Sequence, residues 1–148
     1  MNFLESLGLL GLFFICFLAS SLYPLGSEVF VVGFLALDYA WFLVWIVATL
    51  GNTLGALTTY GIGYFGDSYC LKHFKGMRLK VHRYGKGIQK WGFIYAFLTF
   101  LPILGDMFAL ALGVYHYSIL KSFVGVALGK GVRYLVLIIL YNQYQQGF

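Results

Sequence analysis

Apolar residues run along this chain in four long stretches, covering residues 3–37, 39–65, 92–117 and 118–141. The second and fourth stretches are continuous, and each exceeds the roughly 20 residues that a helix needs to cross a bilayer. The first and third are interrupted by short segments that contain a proline, a glycine and an acid. The pattern therefore predicts two transmembrane helices, each preceded by a broken apolar segment.

Both interruptions share one motif. They read YPLGSEVF and LPILGDMF, and in each a proline is followed four residues later by a carboxylate, Glu28 after Pro24 and Asp106 after Pro102. The apolar run after each acid makes only about 14 Å of helix, half of a hydrocarbon core of roughly 30 Å. We therefore expect each broken segment to fold back as a re-entrant hairpin with its proline at the tip. Non-helical backbone at that depth is tolerated only inside protein or along a cavity.

The two halves of the chain form an internal repeat. Shifting the sequence by 78 positions aligns Pro24 with Pro102 and Glu28 with Asp106 without a gap. The same shift aligns Phe30 with Phe108, Tyr39 with Tyr117, and Leu50 and Gly51 with Leu128 and Gly129. The single membrane domain, residues 1–148, then divides into repeat 1 (about 3–66), a basic connector (about 67–90) and repeat 2 (about 91–141).

The charge distribution predicts the orientation of these segments. Seven of the ten lysines and arginines lie between Lys72 and Lys90, and cytoplasmic loops carry such an excess. With the connector in the cytoplasm, the first hairpin dips in from the outer face and the second from the inner face. We expect an all-α integral membrane protein: an inverted repeat of two re-entrant helical hairpins, each followed by a transmembrane helix, with an amphipathic connecting helix. Secondary transporters bind their substrates at the interface of such repeats.

Composition excludes a water-soluble domain. The 148 residues are 61% hydrophobic and 10% charged, whereas soluble domains are about 25% charged.

The apolar residues of the connector fall mostly on one helical face, which favours a membrane-surface helix over a nucleic-acid site. Cys16 and Cys70 form no disulfide or metal pattern, so we expect neither a metal nor a cofactor. Glycines four apart, Gly51 with Gly55 and likewise Gly125 with Gly129, predict close helix packing.

Glu28 and Asp106 have two interpretations. Each opens the helix that returns from a hairpin tip, where unpaired N–H groups favour a carboxylate, so both acids can be helix caps. Alternatively, they are proton-coupling residues, because desolvation disfavours the charged form of a carboxyl group. We favour proton coupling, since carboxylates inside membranes are usually functional.

Lys130 and Arg133 are the complementary cations. They lie three residues apart near the middle of the last span and share a helix face, and mid-span side chains cannot easily snorkel to the interface. They either neutralise Glu28 and Asp106 or bind the phosphate of a lipid, and the two roles can coexist. Asn52, at the repeat position of Lys130, joins them as a candidate for lipid-phosphate binding.

The motifs PLGSEVFVVGFLAL, GNTLGALTTYGIGYFG and FLPILGDMFALALGV, in this order and followed by GKGVRY, resemble the DedA superfamily (SNARE-associated or VTT-type proteins), specifically its YqaA-like branch. The resemblance covers about residues 17–134. It implies two opposed re-entrant hairpins and a role in moving phospholipids or polyprenyl-phosphate carriers; eukaryotic relatives are lipid scramblases. By position, Glu28 matches the acid after the first tip. Thr99 and Gly105 stand where the usual members carry arginines, and Ala19 where a further acid is usual, so the last helix becomes the candidate source of positive charge.

The sequence thus predicts a multi-pass protein of the bacterial inner membrane that flips or scrambles an anionic lipid or a polyprenyl-phosphate carrier, with proton coupling as a candidate drive. We expect a transporter rather than an enzyme, with membrane lipids as partners, no nucleic acid, and a homo-oligomer as a candidate assembly. A proton-linked exporter of small molecules and a structural membrane protein remain as alternatives. A headgroup-sized polar cavity open to lipid would favour lipid translocation. A closed, water-accessible pore would favour the exporter, and a dry interior with all polar groups paired would favour the structural protein.

Overall fold

The chain is helical throughout its described part, apart from short turns. The computed structural model describes residues 3–21, 26–73, 75–101 and 104–147, with side chains for residues 6–20, 26–66, 85–101 and 104–147. The elements in order are α1 (Phe3–Ser21), α2 (Ser27–Ala36), α3 (Trp41–His73), α4 (Lys75–Phe97), a 3₁₀ turn (Leu98–Phe100), α5 (Leu104–Val114) and α6 (Ile119–Gln146). The predicted all-α class is confirmed. The predicted hairpin tips, Pro24 and Pro102, lie outside the described residues.

Two helices are long and apolar enough to cross a membrane, as predicted. They are α3, through its apolar part Trp41–Gly66 of 26 residues, and α6 with 28 residues. At about 1.5 Å per residue, each exceeds a hydrocarbon core of roughly 30 Å. Both helices run past their predicted ends, α3 to His73 and α6 to Gln146. No proline stands near either predicted end, so nothing there forces the helix to stop.

The helices α2 and α5 are too short to cross. They have 10 and 11 residues, or about 15 and 16 Å of helix. Glu28 and Asp106 lie in their first turns, as the position after each break predicts. The preceding α1 is one continuous helix of 19 residues, about 28 Å long.

The internal repeat is visible in the local backbone. After α2, the N–H groups of Leu37, Asp38 and Tyr39 donate to the carbonyls of Gly33, Leu35 and Phe34, respectively. After α5, the N–H groups of Tyr115, His116 and Tyr117 donate to the carbonyls of Ala111, Gly113 and Leu112. Each bond of the second set equals a bond of the first set with both residue numbers raised by 78. Asp38 and His116 adopt left-handed φ values of 59° and 53°, the C-terminal cap that such bonds require. The long helices then begin in register, at Trp41 and Ile119.

Two pairs of glycines allow close helix packing, of α3 against α1 and of α6 against α4. A side chain at Gly51 or Gly55 of α3 would meet the carbonyl oxygens of Phe13 or Phe17 on α1. A Cβ at Gly129 of α6 would meet the carbonyl of Phe97 on α4, and one at Gly125 would meet Ala96. Such close backbone approach requires small residues, and the packing role predicted for both pairs is confirmed.

Most of the connector is continuous with the segment that follows it. Helix α4 runs from Lys75 to Phe97 through Gly85 and Gly87 without a break, and the division into connector (about 67–90) and repeat 2 (about 91–141) stays a prediction. Within its described side chains, Lys86, Lys90 and Trp91 are exposed, whereas Gly92, Ala96 and Thr99 of the following turn are buried. The helix therefore passes from a polar surface into the protein interior along its length.

Helices α3 and α6 form the centre of the molecule. Trp45 Nε1 donates to the Gly131 carbonyl at 2.8 Å, and the Tyr60 hydroxyl donates to the Tyr117 carbonyl at 2.5 Å. The two helices therefore run antiparallel. One buried cluster joins them to α1 and α2, and a second joins them to α4 and α5. Their outward faces carry exposed apolar side chains, including Phe42, Leu50, Leu128, Val132 and Ile139, which suits contact with lipid.

Candidate functional site

A buried stripe along α6 carries the two predicted cations. Lys130 is 4% exposed and lies between Gly129 and Gly131, which are also buried. Arg133 lies one turn further on, with 19% of its side chain exposed. Because a charged side chain at mid-span is costly in a bilayer, both cations need partners within the protein.

Arg133 connects the two interrupted regions of the chain. Its Nη2 forms an ion pair with Oε1 of Glu28, in the first turn of α2. Its Nη1 donates to the carbonyl of Phe100 at 3.2 Å, in the 3₁₀ turn that precedes α5. One guanidinium thus holds the chain just after the first break and just before the second.

Lys130 lies near the second acid. Its charge acts on that of Asp106 in the first turn of α5, but the two side chains form no direct ion pair among the described residues. Each acid that opens a short helix is therefore matched with a cation, and both cations come from α6. Of the two interpretations given for these cations, neutralisation accounts for the arrangement in the structure, and phosphate binding stays a prediction.

The hydroxyl of Tyr134 is the meeting point of three helices. It donates to Ser27 Oγ on α2 at 2.9 Å and accepts a hydrogen bond from Asn52 Nδ2 on α3. The buried Cys16 of α1 belongs to the same packed cluster as Tyr134. Tyr134 is fully buried, so this network ties the three helices around the start of α2, next to the Glu28–Arg133 pair.

Sequence reasoning found the charged residues of this site but missed its hydroxyl centre. Asn52 was predicted to bind phosphate, and this stays a prediction; in the structure its amide donates to the Tyr134 hydroxyl, with Ser27 Oγ 3.5 Å away. Tyr134 lies four residues beyond Lys130, on the same face of α6. That spacing from a mid-span lysine was the signal that could have identified it.

Several buried polar atoms near the network find no hydrogen-bond partner among the described residues. The orphans include Oδ1 of Asn52 and the hydroxyls of Thr49, Thr53 and Ser20. Thr49, Asn52 and Thr53 have the i, i+3 and i+4 spacing of one helix face. Buried polar groups almost always bond to protein or to ordered water, so these atoms form a polar strip in an otherwise apolar interior.

A cavity of about 510 Å³ lies between α3 and the turn that joins α5 to α6. Its walls are mainly aromatic: Tyr60, Tyr64, Phe65, His116 and Tyr117. The volume falls in the range of about 300–1,000 Å³ that is usual for small-molecule sites. The lining contains none of the four charged residues of the candidate site, so this cavity is not the polar, headgroup-sized cavity that would favour lipid translocation.

These features define a helical membrane protein whose charged side chains lie between its helices. Comparisons with known proteins agree. Inner membrane protein YqaA of Escherichia coli is 32% identical over 133 residues, which is 88% of this chain and 89% of that protein. An uncharacterised protein of Haemophilus influenzae is 34% identical over 95 residues, 64% of this chain and 57% of that protein. An uncharacterised protein of Methanocaldococcus jannaschii is 25% identical over 144 residues, 94% and 87% of the two chains.

The chain therefore belongs to the YqaA family, the branch of the DedA superfamily that its motifs predict. No protein-family model and no solved structure matches it.

Proposed function

We propose that the protein translocates an anionic lipid, either a phospholipid or a polyprenyl-phosphate carrier, between the two leaflets of the bacterial inner membrane. The name of the Escherichia coli relative, an inner membrane protein, supports this location. The two apolar helices of span length support a membrane-embedded protein.

The observation that carries the proposal is the arrangement of charge on α6. Two cations at mid-span are matched with two acids that begin different short helices. A buried ion pair is often no more stabilising than apolar residues of the same volume, so stability alone is a weak reason for four charges in a membrane interior. Charges that lie beside interruptions of the fold are suited to exchanging partners with an anionic substrate.

The proposal includes the inverted repeat with re-entrant hairpins. It is supported by the shortness of α2 and α5, the antiparallel course of α3 and α6, and the matching caps at Asp38 and His116. The arrangement predicts that these caps face opposite sides of the membrane. Single cysteines at Asp38 and at His116, in a background that lacks Cys16 and Cys70, should react with an impermeant maleimide from outside and inside respectively. Reaction of both from the same side is incompatible with the inverted topology.

A liposome assay tests the function itself. Purified protein is reconstituted with fluorescent anionic and zwitterionic lipids, and the loss of outer-leaflet fluorescence to an impermeant quencher reports translocation. Arg133→Lys keeps the charge but loses the fork that binds phosphate through two parallel hydrogen bonds, so we expect anionic-lipid translocation to fall about tenfold or more. Lys130→Gln should also impair it.

Lys121→Gln is the matched control, since Lys121 lies on the same helix but is exposed. This variant should keep wild-type translocation. A wild-type rate equal to that of protein-free liposomes would refute the proposed function.

Proton coupling by Glu28 and Asp106 is part of the same proposal. Glu28 pairs with Arg133, so a proton on Glu28 would release Arg133, and a proton on Asp106 would remove the negative charge that acts on Lys130. Glu28→Gln and Asp106→Asn keep size and hydrogen-bonding capacity but cannot titrate. We expect both to fold and to lose the dependence of translocation on a pH gradient. If both retain it, the acids are caps or structural partners only.

A structural role without transport is the second candidate, and the Glu28–Arg133 ion pair is the observation that favours it. The double variant Glu28→Gln with Arg133→Gln separates the two. A purely structural pair predicts that the double variant stays folded and unchanged in every transport assay, whereas a transport site predicts that it folds and is inactive.

A further inference from the structure

We infer that the carboxylate of Glu28 occupies the position on Arg133 that the substrate phosphate takes during transport, so that phosphate binds by displacing Glu28. The identity of the phosphate as a lipid headgroup rests on the proposed function. The displacement itself rests on the geometry of the pair.

The chemistry of the two anions makes them competitors for one donor. A guanidinium presents its N–H groups in a planar fork that fits the oxygens of a carboxylate or of a phosphate equally well. In the structure the fork is engaged by Glu28 through Nη2, while Nη1 is held by the Phe100 carbonyl. The carbonyl bond anchors the guanidinium when the carboxylate leaves, so the fork remains in place for a new anion.

Accessibility distinguishes Arg133 from Lys130 as the phosphate ligand. The side chains of Arg133 and Glu28 are 19% and 29% exposed, so this pair reaches the surface of the helix bundle. Lys130 is 4% exposed and lies beneath that surface. Arg133 is therefore the more accessible of the two cations for a phosphate, and Lys130 contributes positive charge from within the bundle.

The surrounding groups account for the charge during exchange. The charge of Asp106 on α5 acts on Lys130 of α6, and the hydrogen bonds of Tyr134 occupy the side towards α2 and α3. The net charge of Glu28, Asp106, Lys130 and Arg133 is zero when all four side chains are ionised. Arrival of a phosphate adds negative charge, and a proton on the displaced Glu28 offsets part of it.

Binding in detergent micelles tests the inference without requiring transport. The probes are farnesyl phosphate, inorganic phosphate and farnesol, and the affinity is measured by calorimetry. Glu28→Gln mimics the protonated acid and removes the competitor, so we expect it to bind farnesyl phosphate about tenfold more tightly than the wild type, the size of one charge-assisted hydrogen bond. Glu28→Asp, whose shorter side chain keeps the charge, should give an intermediate affinity and serves if Glu28→Gln fails to fold.

Two control variants and one control ligand test whether the gain in affinity depends on Glu28, Arg133 and the phosphate group. Asp38→Asn removes one negative charge from an exposed turn and should leave the affinity unchanged, and Arg133→Gln with Glu28→Gln should abolish the gain. Farnesol should bind all variants equally. A gain for farnesyl phosphate and inorganic phosphate alike assigns the site to free phosphate, and a gain for farnesyl phosphate alone assigns it to a lipid headgroup; both support the displacement.

Unchanged or weaker binding by folded Glu28→Gln or Glu28→Asp would overturn the inference. This outcome is independent of the proposed function. A wild type that moves no lipid while Glu28→Gln binds phosphate more tightly leaves the displacement intact and removes the transport role. Lipid transport by the wild type, together with no gain in phosphate binding by Glu28→Gln, leaves the transport role intact and removes the displacement.

Discussion

The packing of α1 on α3 can be tested with two substitutions in a single helix. Gly51 and Gly61 both lie within α3, but their surroundings differ. A Cβ at Gly51 would stand 2.5 Å from the Phe13 carbonyl oxygen and 3.2 Å from Cys16 Cβ, whereas one at Gly61 would meet nothing within 4 Å. Gly51→Ala and Gly61→Ala therefore add the same methyl group to the same helix, and only one of them forces two backbones apart.

The expected magnitude follows from two opposing effects. Alanine improves helix propensity over glycine by about 0.8–1.0 kcal/mol at either position. Overpacking of a filled interior costs about 1–3 kcal/mol, and at Gly51 the neighbour is a backbone carbonyl that cannot rotate away. Gly61→Ala should thus raise the free energy of unfolding by up to about 1 kcal/mol. Gly51→Ala should fall about 1–3 kcal/mol below it, because the propensity effect is common to both and cancels.

Reversible unfolding in mixed micelles, followed by circular dichroism as denaturing detergent is added, measures both variants against the wild type. The decisive quantity is the difference between the two variants, which does not depend on the absolute value of either. Equal free energies for the two variants, or a more stable Gly51→Ala, would show that α1 does not pack on α3 through this glycine.

Three further predictions concern the caps and the buried network, and the same unfolding assay measures all of them. Asp38→Val should lower stability by about 1–2 kcal/mol, because a β-branched residue is strained at a φ of 59°, whereas Asp38→Gly should not; equal effects would contradict the left-handed cap. Arg133→Gln should cost roughly 2–4 kcal/mol by leaving Glu28 unpaired, and adding Glu28→Gln should recover most of it; additive losses would contradict the ion pair. Tyr134→Phe should cost about 1–3 kcal/mol, since Asn52 and Ser27 lose their shared partner, and an unchanged stability would place that hydroxyl outside the network.

The elements of the fold could be predicted because they depend on local sequence. A continuous apolar run of span length specifies a helix wherever it is placed, and the acid after each break begins a short helix. The continuity of α4 from Lys75 to Phe97 was not predictable in this way. Gly85 and Gly87 weaken a helix by only about 1 kcal/mol each, an amount that the packing of α4 on neighbouring helices readily offsets.

The partners within the site depend on packing that the sequence does not record. Four mid-membrane charges were expected to pair, but the match of Arg133 with Glu28 joins residues 105 positions apart. Tyr134 escaped notice because a tyrosine among apolar residues has the same pattern whether its ring faces lipid or protein. Only the convergence of three helices on its hydroxyl distinguishes the two cases.

The repeat is symmetric in its backbone and asymmetric in its charge, and this difference bears on mechanism. The positions on α3 that correspond to Lys130 and Arg133 are Asn52 and Gly55. At Gly55 a side chain would collide with the Phe17 carbonyl of α1, so α3 cannot carry an arginine there without separating two tightly packed helices. Among the described side chains, the positive charges that act on the two acids come from Lys130 and Arg133 of α6. An anion that moves between the two short helices would have to pass along α6. Arg133 contacts Glu28 after the first interruption and Phe100 before the second, so it is the one residue of the described site that could bind the anion at either short helix.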